Sequence, residues 1–174
     1  EDEQFLIYNA LFEQTQSNQV TTVRTLDAGG EKALSYAQFS QEANPVLGLR
    51  SIRFALKYRE VFHAQVRAIL RAAYGRKSIR LMFPLIASID EFIEARQVVE
   101  ACMADLTREG IAHESDIQIG MMIELPSVLS TIDEFAGLAD FFSIGTNDFV
   151  QYMLGADRGN KLVAEHYIPY HPSV

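Results

Sequence analysis

The chain has 174 residues, 48% of them hydrophobic, and a formal net charge of −8, as expected for one globular domain with a full core. The acidic balance argues against binding to nucleic acid or to an anionic membrane, and no apolar run reaches the roughly 18 residues of a membrane span. The single cysteine, Cys102, excludes an internal disulfide and predicts a reducing, cytoplasmic compartment.

Helix and strand patterns alternate along the chain. Apolar side chains three and four residues apart predict helices, and short apolar or β-branched runs predict strands. The predicted helices are Asp2 to about Gln16, Asn44 to Gly75, Ser88 to Gly110, Pro126 to about Leu138, and one beginning at Phe149. The predicted strands are Val20 to Leu26, Ser78 to Ile86, Ile117 to Leu125, and Asp140 to Asp148. A permissive loop at 27–30 and a polar connection to about Gln41 follow the first strand.

This alternation predicts an α/β fold with a parallel sheet that is covered on both faces. Two architectures fit it, a part of a (β/α)8 barrel and an open doubly wound sheet. The sequence has neither GxGxxG nor GxxxxGK[ST], the phosphate loops of doubly wound folds. Polar residues finish each strand, which favours a (β/α)8 TIM barrel with its chemistry at the strand ends. Four strands cannot close a barrel of eight, so residues 1–174 are predicted to form a single incomplete barrel domain.

Two carboxylates stand at the ends of neighbouring predicted strands, Glu124 after the third and Asp148 after the fourth. In a barrel both would reach the same opening, and an all-oxygen pair suits Mg²⁺ better than Zn²⁺. The alternative is that each carboxylate caps the helix that follows it. The matched positions favour the metal interpretation.

Three arginines are candidates for holding an anion. Arg24 lies inside an otherwise apolar strand and needs a partner, either a structural carboxylate or a bound anion. Arg50 lies near a helix start, where it either contacts a phosphate or faces solvent, and Arg158 lies in a loop. Together with a divalent metal, the three would bind a doubly anionic phosphorylated acid. Asn147 would hydrogen-bond that substrate or cap the strand end.

Five segments carry a resemblance that covers nearly the whole chain in order. They are RTLDAGG (24–30), NPVLGLRSIR (44–53), RLMFPLI (80–86), IGMMIELP (119–126) and DFFSIGTNDFVQYMLGADRGN (140–160). The sequence resembles the phosphoenolpyruvate-protein phosphotransferase (Enzyme I) family of the bacterial phosphotransferase system. The resemblance implies a barrel of the phosphoenolpyruvate/pyruvate type with about four βα units present. Related barrels occur in pyruvate phosphate dikinase and phosphoenolpyruvate synthase, which stay open as alternatives, as does a non-catalytic regulatory module.

The resemblance also assigns roles to matching positions. Arg24 and Arg158 would bind phosphoenolpyruvate, Arg50 would contact its phosphate, and Asn147 and Asp148 would contact the substrate. Glu124 and Asp148 would hold Mg²⁺. The phosphoryl group would pass to a histidine on a separate N-terminal domain and then to an HPr-type carrier protein, in a cytoplasmic homodimer that serves sugar transport.

The sequence also departs from the family pattern. A further substrate arginine would lie on a strand before this chain, and the cysteine that protonates the product would lie after it. No catalytic residue is therefore expected within the chain, and the isolated chain is predicted to be inactive. Leu125 stands at a position where the family often has threonine. In this respect the sequence resembles the branch of the family that is linked to nitrogen regulation.

Overall fold

The computed structural model describes residues 1–15, 19–27 and 42–174. The helices of this part are α1 Asp2–Glu13, α2 Ser51–Lys57, α3 Arg59–Ala72, α4 Ile89–Arg108, α5 Ile132–Ala136 and α6 Thr146–Leu154. The strands are β1 Thr21–Arg24, β2 Ile79–Phe83, β3 Gln118–Ile123 and β4 Phe142–Ile144. Short 3₁₀ helices cover Pro126–Thr131 and Ala164–His166. All four predicted strands are present, each shorter than its apolar run.

The four strands form one parallel sheet in the order β1-β2-β3-β4. Each strand thus pairs with the next one along the chain, and helical segments connect them. Consecutive βα units of a TIM barrel have this order, whereas a doubly wound sheet reverses its strand order. The structure therefore confirms the α/β fold and the partial (β/α)8 barrel.

Aromatic side chains join the helical layer to the sheet. Phe62 on α3, Phe83 on β2, Phe92 on α4 and Phe135 on α5 make successive edge-to-face contacts, with ring centroids 5.8 to 6.2 Å apart. All four are at most 1% exposed, and edge-to-face pairs add to the stabilisation from burial alone. Cys102 is fully buried in the same core cluster.

The helix predicted from Asn44 to Gly75 is wrong in its start and in its continuity. Residues 44–49 form turns, α2 begins at Ser51, and Tyr58 separates α2 from α3. The dihedrals of Tyr58, φ −108° and ψ 67°, lie outside the helical region. The hydrophobic pattern runs through this break because both helices pack on the same core, so apolar spacing alone did not reveal it. The loop and connection predicted at 27–41 lie, except for Asp27, outside the described residues.

The fourth strand is also shorter than predicted, and this changes the position of a site residue. β4 ends at Ile144 and α6 begins at Thr146. Asn147 and Asp148, predicted at the end of a strand, therefore lie in the first turn of α6. Among the described residues, none of the helices is both long and apolar enough to cross a bilayer.

Candidate active site

A cavity of about 320 Å³ opens at the carboxyl ends of the strands. We call it the mouth. Its lining residues are Arg24, Asp27, Met122, Glu124, Ile144, Gly145, Thr146, Asn147, Asp148 and Arg158. The mouth thus brings together every predicted site residue except Arg50, and Arg50 forms ion pairs with two of the lining carboxylates.

Glu124 follows β3 directly and is 3% exposed. Its Oε1 accepts a hydrogen bond of 3.1 Å from the backbone N–H of Leu85. Burial, together with the neighbouring carboxylate of Asp148, raises the pKa of Glu124 to about 7. Two adjacent buried carboxylates are unfavourable when both are charged unless a proton or a cation lies between them. The 3₁₀ helix that follows has no side-chain cap hydrogen bond, so Glu124 does not cap it, and the environment of Glu124 favours a positive ligand.

The residue that makes this contact, Leu85, has a strained backbone. Leu85 has φ +55°, a conformation that is unusual for a bulky residue without a special reason. It is 1% exposed, so the surrounding core holds it in place. Its N–H donates to Glu124 in the mouth. Strained backbone persists at functional sites when the surrounding structure holds it in place.

Asp148 connects two of the three predicted arginines. Its Oδ2 accepts a hydrogen bond from Nη2 of Arg50 at 3.2 Å, and its Oδ1 lies 2.8 Å from Nη1 of Arg158. Within the described part of the chain, Oδ1 is nevertheless buried without an aligned hydrogen bond. One oxygen of this carboxylate therefore keeps bonding capacity for a ligand.

Asp27 is a further member of the site that sequence reasoning missed. Both of its oxygens accept from Nη2 of Arg50, at 3.0 and 3.1 Å, and Oδ2 lies 3.9 Å from Arg24. Although burial opposes the charged form, hydrogen bonding to Asp27 and the charge of Asp148 raise the pKa of Arg50. The sequence signals were the spacing of Asp27 three residues after Arg24 and its place in the segment RTLDAGG (24–30).

The structure places Arg24 differently from its prediction. It is the last residue of β1 rather than inside the strand, its side chain is 43% exposed, and the carboxylate of Asp27 is the partner that its charge was predicted to need. Its Nη1 contacts the sulfur of Met122 at 3.7 Å. The side chain of Arg158 is similarly 44% exposed. Two of the three arginines thus reach the open side of the mouth, where an entering anion would meet them.

Asn147 lies at the exposed rim of the mouth. Its backbone carbonyl accepts a hydrogen bond of 3.2 Å from the hydroxyl of Tyr167. This contact ties the segment after α6 to the first turn of that helix.

Gly145 is a second residue that sequence reasoning missed. A Cβ at this position would lie 2.3 Å from Cγ of Glu124 and 3.0 Å from Cε of Met122. Glycine is therefore the residue that allows Glu124 its observed position beside the first turn of α6. The signal in the sequence was a glycine directly before the polar cluster of the fourth strand.

The metal prediction rests on two carboxylates. In the described ranges, no group of three or more histidine, cysteine, aspartate or glutamate side chains is arranged to hold a metal ion. A pair such as Glu124 and Asp148 is still adequate for Mg²⁺, which keeps several waters and takes other oxygens from the substrate.

The fold and the mouth are those of an α/β barrel domain whose strand ends gather arginines and carboxylates. The model of the family described as "PEP-utilising enzyme, PEP-binding domain" matches residues 1–174. The chain therefore belongs to this family of phosphoenolpyruvate-binding domains.

Curated relatives agree with this assignment. The chain is 49% identical over 175 residues to the phosphoenolpyruvate-protein phosphotransferase of Mycoplasma capricolum. It is 46% identical to the proteins of the same name from Bacillus subtilis and Haemophilus influenzae. Each match covers all of this chain, and the chain spans 30% of the length of each relative.

A solved structure, a citrate lyase from Burkholderia xenovorans, matches 64% of this chain and 36% of its own. The identity is 22% and the TM-score 0.43, too low to bear on the fold.

Proposed function

We propose that this chain is the phosphoenolpyruvate-binding part of a phosphoenolpyruvate-protein phosphotransferase. The observation that carries the proposal is that Arg24, Arg158 and the carboxylate pair Glu124 and Asp148 line one small mouth, and that Arg50 forms an ion pair with Asp148 beside it. Family membership and the shared name of the curated relatives support it.

The arginines are suited to a phosphorylated acid. Guanidinium groups bind phosphate and carboxylate through paired, charge-assisted hydrogen bonds. Asp27 and Asp148 already hold Arg50 in place, so little conformational freedom remains to be lost when the anion arrives. Such preorganised positive charge is most of what phosphoryl transfer requires of a protein. Asn147 would add a hydrogen bond to the substrate from the rim.

Glu124 and Asp148 are proposed to hold Mg²⁺. The buried carboxylate pair, in which Oδ1 of Asp148 forms an ion pair with Arg158 but has no hydrogen bond, fits a hard cation with oxygen ligands. When bound, Mg²⁺ would neutralise charge on the phosphate and on the enolate that forms as the phosphoryl group leaves. The backbone N–H of Leu85 keeps one oxygen of Glu124 oriented throughout.

The acceptor of the phosphoryl group is proposed to lie on another part of the protein. The described residues that line the mouth include no histidine. The group would pass to a histidine of the N-terminal domain and then to an HPr-type carrier, and pyruvate would leave. The protein would work as a homodimer in the cytoplasm, in sugar transport or in its nitrogen-linked counterpart.

Calorimetric titration of the intact protein with phosphoenolpyruvate, with and without Mg²⁺, tests the proposal. We expect saturable binding that depends on Mg²⁺ and weakens when Arg50 is changed to Lys, since lysine cannot make the paired contact. Transfer to a purified HPr-type carrier is expected from the intact protein and not from residues 1–174 alone. Absence of binding by the intact protein would instead favour a non-catalytic regulatory module.

A further inference from the structure

Helix α6 connects to the site at more than its first turn. Asp148 forms ion pairs with both Arg50 and Arg158. The next turn of the same helix carries Gln151 and Tyr152, whose side chains bond to the backbone of the two segments that bear these arginines. Neither residue was a candidate in the sequence.

Gln151 holds the segment of Arg158. It is 7% exposed, and its Oε1 accepts a hydrogen bond of 3.0 Å from the backbone N–H of Arg158. Its own carbonyl accepts from the N–H of Ala156 at 3.2 Å. The chain turns between them at Gly155, whose φ of +61° favours glycine. The buried side-chain amide of Gln151 therefore fixes the course of the chain from the end of α6 to Arg158.

Tyr152 holds the segment of Arg50. Its hydroxyl donates a hydrogen bond of 2.7 Å to the carbonyl of Val46, four residues before Arg50. Burial raises the pKa of Tyr152, and the nearby guanidinium of Arg50 partly opposes that rise. The hydroxyl thus lies close to Arg50 and is also hydrogen-bonded to the loop that precedes Arg50. Leu47 and Gly48 in that loop accept from Arg53, which closes the turn.

We propose that Gln151 and Tyr152 are positioning residues, through which one helix sets the separation of Arg50 and Arg158. Consecutive helix residues project about 100° apart, so the two side chains serve two separate loops. The separation of the two guanidiniums decides which anion they bind together. This inference rests on the proposed function, because it assumes that both arginines hold the substrate.

The alternative is that both hydrogen bonds serve stability only. Each would then contribute to folding without altering substrate affinity. The two readings differ in where the effect of a substitution appears. A positioning residue changes the KM for phosphoenolpyruvate, and its effect depends on the arginine that it positions.

The test uses Tyr152→Phe and Gln151→Leu in the intact protein, each of which removes one side-chain hydrogen bond. We expect each to raise the KM for phosphoenolpyruvate about 2- to 10-fold, the effect of one lost hydrogen bond, with a smaller change in kcat. Tyr152→Phe removes a single hydroxyl and decides the test alone if Gln151→Leu does not fold.

Matched controls are available at the opposite end of the sheet. Tyr74 is 60% exposed beyond α3, and Gln118 is exposed at the start of β3. Tyr74→Phe and Gln118→Leu make the same chemical changes away from the mouth, and we expect the KM to stay at the wild-type value.

Double-mutant cycles assign each residue to its arginine. In an Arg50→Lys background, Tyr152→Phe should lose most of its effect on KM, whereas Gln151→Leu should keep its effect. In an Arg158→Lys background the pattern should be reversed. Additive effects in all four combinations would overturn the inference.

Two further outcomes distinguish a failure of this inference from a failure of the proposed function. If wild type binds phosphoenolpyruvate and both variants behave like the controls, the inference is wrong and the proposed function stands. If wild type itself does not bind phosphoenolpyruvate, both are wrong.

Discussion

Gly145→Ala tests how closely the site is built around Glu124. The φ of Gly145 is −88°, so alanine fits the backbone and only its Cβ matters. That Cβ would lie 2.3 Å from Cγ of Glu124, which must retreat by about 1.1 Å to reach the 3.4 Å of ordinary contact. Such a shift breaks the 3.1 Å hydrogen bond from Leu85. A misplacement of about 1 Å at a reacting site can cost about 100-fold in rate.

We therefore expect Gly145→Ala to reduce Mg²⁺-dependent phosphoryl transfer by the intact protein about 100-fold. Overpacking should also cost about 1–3 kcal/mol of stability. Steady-state transfer to the carrier at several Mg²⁺ concentrations measures the first effect, and urea denaturation measures the second.

Two other glycines separate these effects. At Gly137 a Cβ meets only the carbonyl of Glu134 at 3.5 Å, so Gly137→Ala should leave both activity and stability nearly unchanged. At Gly120 a Cβ would lie 2.4 Å from the backbone oxygen of Phe141, away from Glu124. Gly120→Ala should destabilise the sheet while its folded fraction keeps normal Mg²⁺ dependence. Normal transfer by Gly145→Ala at saturating and low Mg²⁺ would refute the reasoning.

Three further outcomes follow from other parts of the fold. Burial raises the pKa of Cys102 to about 12, so iodoacetamide at pH 8 should leave it unmodified in the native protein and alkylate it after denaturation. Burial opposes ionisation of Glu1, but hydrogen bonds from Arg67 and Arg71 lower its pKa below 4.5. The ion pairs of Glu1 therefore stabilise the fold above pH 4.5, and this stabilisation is lost as the pH falls through the lowered pKa. The thermal midpoint of Glu1→Gln should depend less on pH in this range than that of the wild type. Arg67 is 7% exposed and pairs with Glu1 and Glu109. Arg67→Met should therefore lower the free energy of unfolding, measured by urea denaturation, by about 1–3 kcal/mol. A smaller change would contradict the contribution assigned to these bonds.

The fold was predictable because its determinants are local and repeated. Four apolar runs separated by amphipathic segments leave few arrangements other than a parallel sheet between helices. The missing phosphate loop then separated a barrel from a doubly wound sheet. The break at Tyr58 was not predictable, because the residues on both sides of it bury the same apolar face.

The residues predicted for the site lie in or beside the mouth, but not all of their positions were predictable. Glu124 and Asp148 were expected at one opening and are found there. Asp148 lies on α6 instead of β4, since an apolar run that ends in a polar cluster cannot show where strand pairing stops. Arg24 is exposed because burial alternates along β1, so that Val23 and Thr25 are buried and Arg24 between them points to the other face of the sheet.

The supporting residues were missed because their contacts join distant parts of the chain. Asp27 bonds to Arg50, 23 residues away, and Tyr152 bonds to Val46, 106 residues away. The left-handed backbone of Leu85 carries no signal in the residue type itself. Sequence patterns report periodicity and caps, whereas these contacts exist only once the strands are side by side.

The most direct test of the metal site is phosphoryl transfer by the intact protein carrying Glu124→Gln. Glutamine keeps the size of the side chain and an oxygen that can accept from Leu85, and it removes the charge that Mg²⁺ requires. Transfer from phosphoenolpyruvate to an HPr-type carrier, measured across a range of Mg²⁺ concentrations, should be nearly abolished. Turnover near the wild-type rate would contradict the assignment of Mg²⁺ to Glu124 and Asp148.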